Sequence, residues 1–345
     1  MQHRTENRTT TTPLTTGRMR AVVQETYGGP ENLRVTEIER PTPGPGEVLV
    51  EVVAAGVDRG VWHLMTGRPY VMRIMGFGLR RPRTRVPGLD VAGRVAAVGA
   101  GVRRFEVGDE VFGIASGSFA QYAIATEAKL AARPAGTSHA EAAAATISGI
   151  TALQALTDAG RLEAGQHVLV IGASGGVGSH AVQLAKALGA TVTGVASGRK
   201  ADLVRDLGAD HVIDHETTDY LDGRTRYDLI VDTGGRNPLR RLRRALTSTG
   251  TLVIDGGEGG GRWTGGAGRQ LRAVMLSPFV SQRLTSLLST ESTDAIERLA
   301  RHLAAGHVRP AVGRRYPLEQ AGDAVADLAA GHARGKSVIT VHPEN

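Results

Sequence analysis

The chain contains no cysteine. Disulfides are therefore excluded, as are thiolate nucleophiles and thiolate zinc ligands. Aromatic residues make up only 4% of the chain, so its core has to be built largely from aliphatic side chains and alanine. Lysine occurs only as Lys129, Lys186, Lys200 and Lys336, which leaves nearly all the positive charge to arginine. No apolar run reaches the roughly 18 residues that a membrane span requires, and no membrane partner is expected. The first 17 residues are polar and threonine-rich, with no apolar stretch. They read as a disordered tail rather than a secretory signal. The lack of thiols suits a reducing compartment, and a cytoplasmic location is expected.

What is present is ordinary for a soluble protein: 345 residues, 41% hydrophobic and 22% charged. That length accommodates two domains. The formal net charge is +7, but arginine is scattered along the chain apart from short clusters such as Arg80-Arg81-Pro82-Arg83 and Arg240-Arg241-Leu242-Arg243-Arg244. This spread argues against a nucleic-acid partner. An anionic cofactor accounts for part of the excess.

Two styles of patterning divide the chain. The first third reads as short strands between glycines: Met19 to Val23, Leu33 to Ile38, Glu47 to Ala54, Val91 to Val98, Glu110 to Ile114 and Phe119 to Ile124. Such spacing predicts a β unit, closed or partly open as a barrel. The style changes near Ser138. His139 to Ala145 and Gly149 to Ala159 are expected as two helices. After Gly165, strands and helices alternate, with strands at His167 to Ile171, Thr191 to Ala196, His211 to Ile213, Tyr227 to Asp232 and Thr251 to Asp255. That alternation predicts a parallel sheet covered on both faces. Ala295 to Ala305 and Ala321 to Ala330 read as amphipathic helices, and Ser337 to Val341 as a closing strand.

The strongest motif is Gly172-Ala173-Ser174-Gly175-Gly176-Val177-Gly178. It follows a predicted strand and opens a predicted helix, which is the setting a dinucleotide fingerprint requires. Ala173 is small enough for the tight turn, Gly175 lets a pyrophosphate approach the backbone, and Gly178 lets helix and strand pack closely. The helix N-terminus then offers amide groups to the phosphates. The end of the second strand selects the nucleotide. An acidic residue there would hold the ribose hydroxyls of NAD. Here the run is Ala196-Ser197-Gly198-Arg199-Lys200, and a hydroxyl with two cations suits the 2′-phosphate of NADPH. The nearest acid in sequence, Asp202, is expected on the following helix.

With further segments in order along residues 19 to 342, the chain resembles the medium-chain dehydrogenase/reductase superfamily, in its zinc-free quinone oxidoreductase-like branch. The matching stretches include Gly44-Pro45-Gly46-Glu47-Val48-Leu49-Val50, Pro87-Gly88-Leu89-Asp90-Val91-Ala92-Gly93 and Val107-Gly108-Asp109-Glu110-Val111-Phe112-Gly113. Gly149-Ile150-Thr151-Ala152, Gly208-Ala209-Asp210-His211-Val212-Ile213-Asp214 and Gly331-His332-Ala333-Arg334-Gly335-Lys336 follow. The resemblance implies an α/β fold: a GroES-like β-barrel domain with a Rossmann doubly wound parallel-sheet domain inserted. After the tail over 1–17, the expected limits are 18–145 and 281–345 for the first domain and 146–280 for the second. The active site would lie in the cleft between them. A homodimer is implied as well, joined through the edge of the parallel sheet, for which Thr251 to Asp255 and Ala273 to Leu276 are the candidate edges.

The resemblance also assigns residues. Thr151 should lie near the nicotinamide half of the cofactor, and Gly256 and Gly257 near the nicotinamide ribose. His215 stands where many relatives carry a tyrosine beside the adenosine phosphate. Lys336 lies in a segment that returns to the cleft, with an exposed turn lysine as the equal alternative. Zinc-dependent members carry a cysteine early and a His-Glu pair after a glycine. Those positions read Asp58 and Gly88-Leu89-Asp90 here, so no metal is expected.

One departure stands out. Relatives of this branch usually read Val-Asn-Pro, two residues, then Trp, whereas this chain has Val57-Asp58-Arg59-Gly60-Val61-Trp62. A carboxylate replaces an amide beside the expected nicotinamide and, when ionised, only accepts hydrogen bonds. Asp58 is either a general acid with a pKa raised by burial or a structural residue paired with an arginine. For hydride transfer to a quinone or enone, other candidate donors to the developing oxyanion are Tyr70, His63, a backbone amide or an arginine of the Arg80 to Arg85 loop. The alternatives are a biosynthetic reductase of an imine or aldehyde, a redox-neutral enzyme on the same fold, or an NADPH-binding sensor without turnover.

Overall fold

In a computed structural model of the chain, residues 17–256 and 261–343 are described. The N-terminal part opens with a hairpin of β1 (Arg18–Val23) and β2 (Arg34–Glu39). Next come the long strand β3 (Glu47–Val57), the short helix α1 (Arg59–Thr66), and strands β4 (Asp90–Val98), β5 (Glu110–Ile114), β6 (Tyr122–Thr126) and β7 (Leu130–Ala132). Helix α2 (His139–Gln154) then leads into an alternating run. This comprises β8 (His167–Ile171), α3 (Gly176–Ala187), β9 (Thr191–Ala196), α4 (Ala201–Asp206), β10 (His211–Asp214) and β11 (Tyr227–Asp232). It continues with α5 (Leu239–Ala245), β12 (Leu246–Ile254), α6 (Ala267–Leu276) and β13 (Arg283–Ser286). The chain closes with α7 (Thr293–Ala304), β14 (Val312–Pro317), α8 (Ala321–Ala329) and β15 (Lys336–Thr340).

Two large sheets result. The six-stranded sheet has the order β10-β9-β8-β11-β12-β13, parallel throughout. Its order reverses beside β8, and ligands bind such sheets outside the strand C-termini at this switch point. The second sheet runs β14-β15-β3-β4-β5-β7, with β6 also on β3. Two of its members, β14 and β15, come from the far end of the chain: β15 pairs antiparallel with β3, placing Ser337 opposite Val57. The C-terminal segment thus completes the N-terminal sheet.

Helix α2 lies between the two sheets, packing on β3, β4, β5 and β15 on one side and on α3 and α7 on the other. Its start is fixed by a capping box: Glu141 N–H donates to Ser138 Oγ, and Ser138 N–H donates to Glu141 Oε2. The run Ala142-Ala143-Ala144-Ala145 is fully buried, and these small side chains allow helix and strands to approach closely. The two helices expected from sequence are one. Gly149 lies inside it, where Leu299 packs closely: a Cβ would stand 2.7 Å from Leu299 Cδ1. The helix ends in a single wide turn over 155–159.

Further expectations are corrected. Ala273 to Leu276 is helical, within α6, and β12 is interior because β13 pairs beyond it. The outer strands of the parallel sheet are β10 and β13. The parallel sheet also extends past the expected limit at 280, since β13 belongs to it. Gly257 and most of the tail fall outside the described residues.

Candidate active site

The glycine turn lies where the fold places a ligand. Gly172 leaves β8 with φ +85°, a conformation that favours glycine, and Gly172 and Ala173 N–H both donate to Val195 O. A Cβ at Gly178 would lie 2.1 Å from Gly172 O, so no other residue lets α3 begin this close to β8. Gly175 is the N-cap of α3, and Ser179 N–H donates to Gly175 O. The amides of Gly176, Val177 and Gly178 precede the first intrahelical bond and have no acceptor among the described residues. Three N–H groups and the positive end of a helix dipole therefore point to one place, where a pyrophosphate fits. The second face of the turn is occupied. A Cβ at Gly176 would meet Ser148 Oγ at 2.8 Å and Lys336 Cδ at 3.2 Å, and Gly335 N–H donates to Ser174 O. Thr151 is buried one helical turn beyond Ser148 on α2.

At the end of β9, Ser197 is buried and Arg199 is exposed with no ion pair among the described residues. Lys200 is turned away from this edge, and its Nζ donates to Gly331 O at 2.9 Å and Ala333 O at 2.6 Å. Burial, with Arg199 and Arg334 nearby, holds its pKa below the usual lysine range. Arg334 lies too far along the chain to be read into this edge from local pattern. It donates to Arg199 O at 2.9 Å and to Asp202 Oδ2 at 2.9 Å, so a third cation joins the pair read from sequence. Asp202 is on α4, as expected. A nearer acid escapes the sequence reading: Asp214, at the end of the neighbouring strand β10, has a carboxylate oxygen 2.6 Å from where a Cβ on Gly198 would stand. His215 is exposed, with its N–H bonded to Ala196 O.

Across the turn lies a buried charge group assembled by strand pairing. β15 and β4 flank β3 on its two sides, and the pairs Ser337–Val57 and Ala92–Ala54 set Lys336 and Asp90 at the same end of that strand, where Asp58 follows. Lys336 Nζ donates to Asp90 Oδ2 at 2.8 Å, and Ile147 N–H on α2 donates to Asp90 Oδ1 at 2.9 Å. Lys336 is only 3% exposed and Asp90 not at all. Burial raises the Asp90 pKa to about 6, the Lys336 ammonium opposes that rise, and the Asp58 charge adds to it. Lys336 is therefore a buried ion-pair member beneath the glycine turn, not an exposed turn lysine. Asp58 is also buried. Its Oδ1 accepts from Val61 N–H at 3.1 Å and caps α1, whereas its Oδ2 is shut off from solvent with no hydrogen-bond partner.

Tyr70 and His63 are engaged elsewhere. His63 Nδ1 bonds Arg68 O at 2.8 Å, while the Tyr70 ring meets Trp263 edge-on and lies under the Arg73 guanidinium. His180, on α3, carries no sequence signal that marks it. Its Nδ1 bonds Gly176 O at 2.8 Å, its Nε2 is buried without a partner, and burial lowers its pKa to about 4. The imidazole is thus neutral, with Nδ1–H donating. At the strand ends opposite, Arg269 clamps the loop, donating to Asp232 Oδ2 at 2.6 Å and Gly256 O at 3.2 Å. Asp232 Oδ1 accepts from Gly234 and Gly235 N–H.

Among the described residues no three His, Cys, Asp or Glu side chains gather to hold a metal ion, and the Lys336 ammonium already takes the cationic place beside Asp90.

A doubly wound dinucleotide fold joined to a β domain, with the glycine turn facing buried polar groups, defines an oxidoreductase that uses a nicotinamide cofactor. Sequence comparison agrees. The model "Alcohol dehydrogenase GroES-like domain" matches residues 44–135, and "Zinc-binding dehydrogenase" matches 207–339. The chloroplast envelope quinone oxidoreductase homolog of Arabidopsis thaliana is 32% identical over 337 residues, covering 93% of this chain and 98% of that one. The chain belongs to the medium-chain dehydrogenase/reductase superfamily, among its quinone oxidoreductases. The solved quinone oxidoreductase of Coxiella burnetii superposes with a TM-score of 0.83 at 26% identity, covering 94% of this chain and all of that one. A mycobacterial structure complexed with NADPH superposes at 0.78, with 28% identity over 94% of this chain and 100% of that one.

Proposed function

We propose that this chain is a zinc-independent reductase that uses NADPH to deliver hydride to a quinone or another α,β-unsaturated carbonyl. The observation that carries this reading is the cluster of unpartnered amides at Gly176, Val177 and Gly178, with exposed Arg199 at the adjoining edge where a 2′-phosphate would lie. Ser197 and Arg199 would hold that phosphate, and Lys200 and Arg334 add positive potential. Thr151 and Gly256 border the nicotinamide end. When bound, NADPH supplies the hydride. The residues of the chain orient the two reactants, exclude water and settle the charge that develops on the acceptor oxygen.

Asp58 departs from the amide of relatives, and an ionised carboxylate there would accept but not donate, giving an enolate oxygen no hydrogen bond. The same acceptor would favour a substrate with a donor or cationic end, which keeps reduction of an imine as the second reading. Zinc independence is supported by the missing thiols and by the occupied place beside Asp90. Among the described residues no helix is long and apolar enough to cross a membrane. We further propose a cytoplasmic homodimer joined along β13, an outer strand of the parallel sheet.

The test is oxidation of NADPH and NADH, followed by nicotinamide absorbance, against a panel of quinones, enones and cyclic imines. NADPH oxidation with quinones or enones supports the proposal, and turnover of imines alone moves the assignment to the second reading. Tight NADPH binding without turnover of any acceptor would identify a sensor instead.

A further inference from the structure

Two stretches of the chain contain no acidic residue, 59–89 and 259–290, yet they carry seven and four arginines respectively. The fold brings them together. Tyr70 N–H donates to Arg262 O at 2.9 Å, Val71 N–H donates to Trp263 O at 3.1 Å, and the Tyr70 and Trp263 rings meet edge to face at 5.5 Å.

The surface they form is inverted relative to an ordinary loop. Its polar anchors face inward. Arg73 is stacked between the rings of Tyr27 and Tyr70, and its Nε donates to Gly67 O at 2.9 Å. Tyr27 Oη donates to Gly78 O at 2.6 Å and to Phe77 O at 3.0 Å. Gly76 and Gly78, at φ +106° and +110°, bend the chain around these anchors. The apolar side chains are left outside: Ile74 and Met75 are each 71% exposed, Trp263 69% and Leu79 68%, with Phe77 and Val71 also exposed. Around them Arg68, Arg80, Arg81, Arg83 and Arg262 are exposed, and none has an ion-pair partner among the described residues.

Scattered single apolar residues are normal on a surface, but a concentrated group of large ones marks a contact site. We propose that this face docks on a lipid bilayer with anionic headgroups. The long aliphatic side chains and Trp263 suit the boundary between headgroups and acyl chains, while the guanidinium groups pair with lipid phosphates. A nucleic acid would use the arginines but would leave Ile74, Met75 and Leu79 without a role. Docking requires no spanning segment, so the lack of a long apolar run, which led to the expectation of no membrane partner, does not bear on it. The inference is independent of which acceptor the enzyme reduces.

The experiment is co-sedimentation of the full-length protein with vesicles of phosphatidylcholine alone and of phosphatidylcholine with phosphatidylglycerol. Binding to the anionic vesicles, weakened by salt and accompanied by a blue shift of Trp263 emission that the Trp263→Phe variant lacks, is the expected result. The triple variant Arg80→Glu, Arg81→Glu, Arg83→Glu should bind roughly a hundredfold less. The pair Ile74→Asp, Met75→Asp should lose binding while keeping the wild-type unfolding temperature and NADPH affinity. Equal, negligible sedimentation with both vesicle types overturns the proposal, as does wild-type binding by the aspartate pair. Conversion of a dimer to a monomer by that pair also overturns it, because the face would then be a protein interface.

Discussion

Lys336 Nζ lies 2.8 Å from Asp90 Oδ2, joining two buried side chains 246 residues apart in the chain. This pair ties the last strand of the molecule to the start of β4, directly beneath the glycine turn. A buried ion pair is not in itself strongly stabilising, but removing one partner leaves an uncompensated charge. Lys336→Met is therefore expected to lower unfolding free energy by about 3–5 kcal/mol at pH 8. The loss should shrink near pH 5, below the raised Asp90 pKa of about 6, where that carboxylate takes up a proton. Urea unfolding at the two pH values checks this, and an equal loss at both would refute the role of the Asp90 charge.

Asp255 gives a second pH prediction with a definite sign. Burial first, and the neighbouring Asp232 carboxylate second, raise its pKa to about 6. The folded state thus holds a proton that the unfolded chain releases near the ordinary carboxyl value of 3.8. The stabilisation is complete below that value and disappears as pH rises through about 6. Relative to wild type, Asp255→Asn should gain stability between pH 4 and pH 7, by up to about 3 kcal/mol. A difference between the two proteins that does not change with pH would contradict the shift.

The glycines of the turn should separate folding from cofactor binding. A Cβ at Gly178 would collide with Gly172 O at 2.1 Å, whereas one at Gly175 would stand 3.3 Å from the same atom. Gly175 also has φ −86° and ψ −179°, which alanine adopts without strain. Gly178→Ala is expected to cost about 1–3 kcal/mol of stability. Gly175→Ala should fold normally yet bind NADPH more weakly, because the methyl group stands where the pyrophosphate meets the backbone. Thermal unfolding and fluorescence titration with NADPH, run on both variants, decide the matter. Unchanged affinity in Gly175→Ala would remove the pyrophosphate from this turn.

Arg199 and Lys200 are neighbours with different roles. Arg199 is exposed, with no ion pair among the described residues, while Lys200 is bonded to Gly331 O and Ala333 O. Arg199→Ala should weaken NADPH roughly 10- to 100-fold and leave NADH affinity nearly unchanged. Lys200→Met should instead loosen the 331–334 segment, seen as faster hydrogen exchange there, with a smaller effect on nucleotide choice. An equal loss for both nucleotides in Arg199→Ala would show that Arg199 does not read the 2′-phosphate.

The elements legible in the sequence are those decided by short-range geometry. Residues 172 to 178 specify a strand-to-helix turn because Gly172 takes a positive φ and Gly178 must pass close to Gly172 O, so the turn is readable from residue order. The alternation of strand and helix after Gly165 likewise predicts a parallel sheet from periodicity alone. Short-range reading fails where a distant partner decides. The helices expected over His139 to Ala145 and Gly149 to Ala159 are one, with Gly149 inside α2 against the distant Leu299 side chain. Ala273 to Leu276 has the apolar look of a strand, yet it forms part of α6 against β13.

Residue order was enough to specify which backbone turns from strand into helix and leaves its amides free, and the lack of cysteine was enough to exclude thiolate chemistry. What surrounds that turn depended on the folded arrangement. Strand pairing brings Asp58, Asp90 and Lys336 from three separate regions into one buried group, and pairing of β10 with β9 sets Asp214 beside Gly198. The physical reason is that φ and ψ preferences act over a few residues. Burial and Coulombic interaction act through space, between groups whose separation along the chain carries no information about their distance.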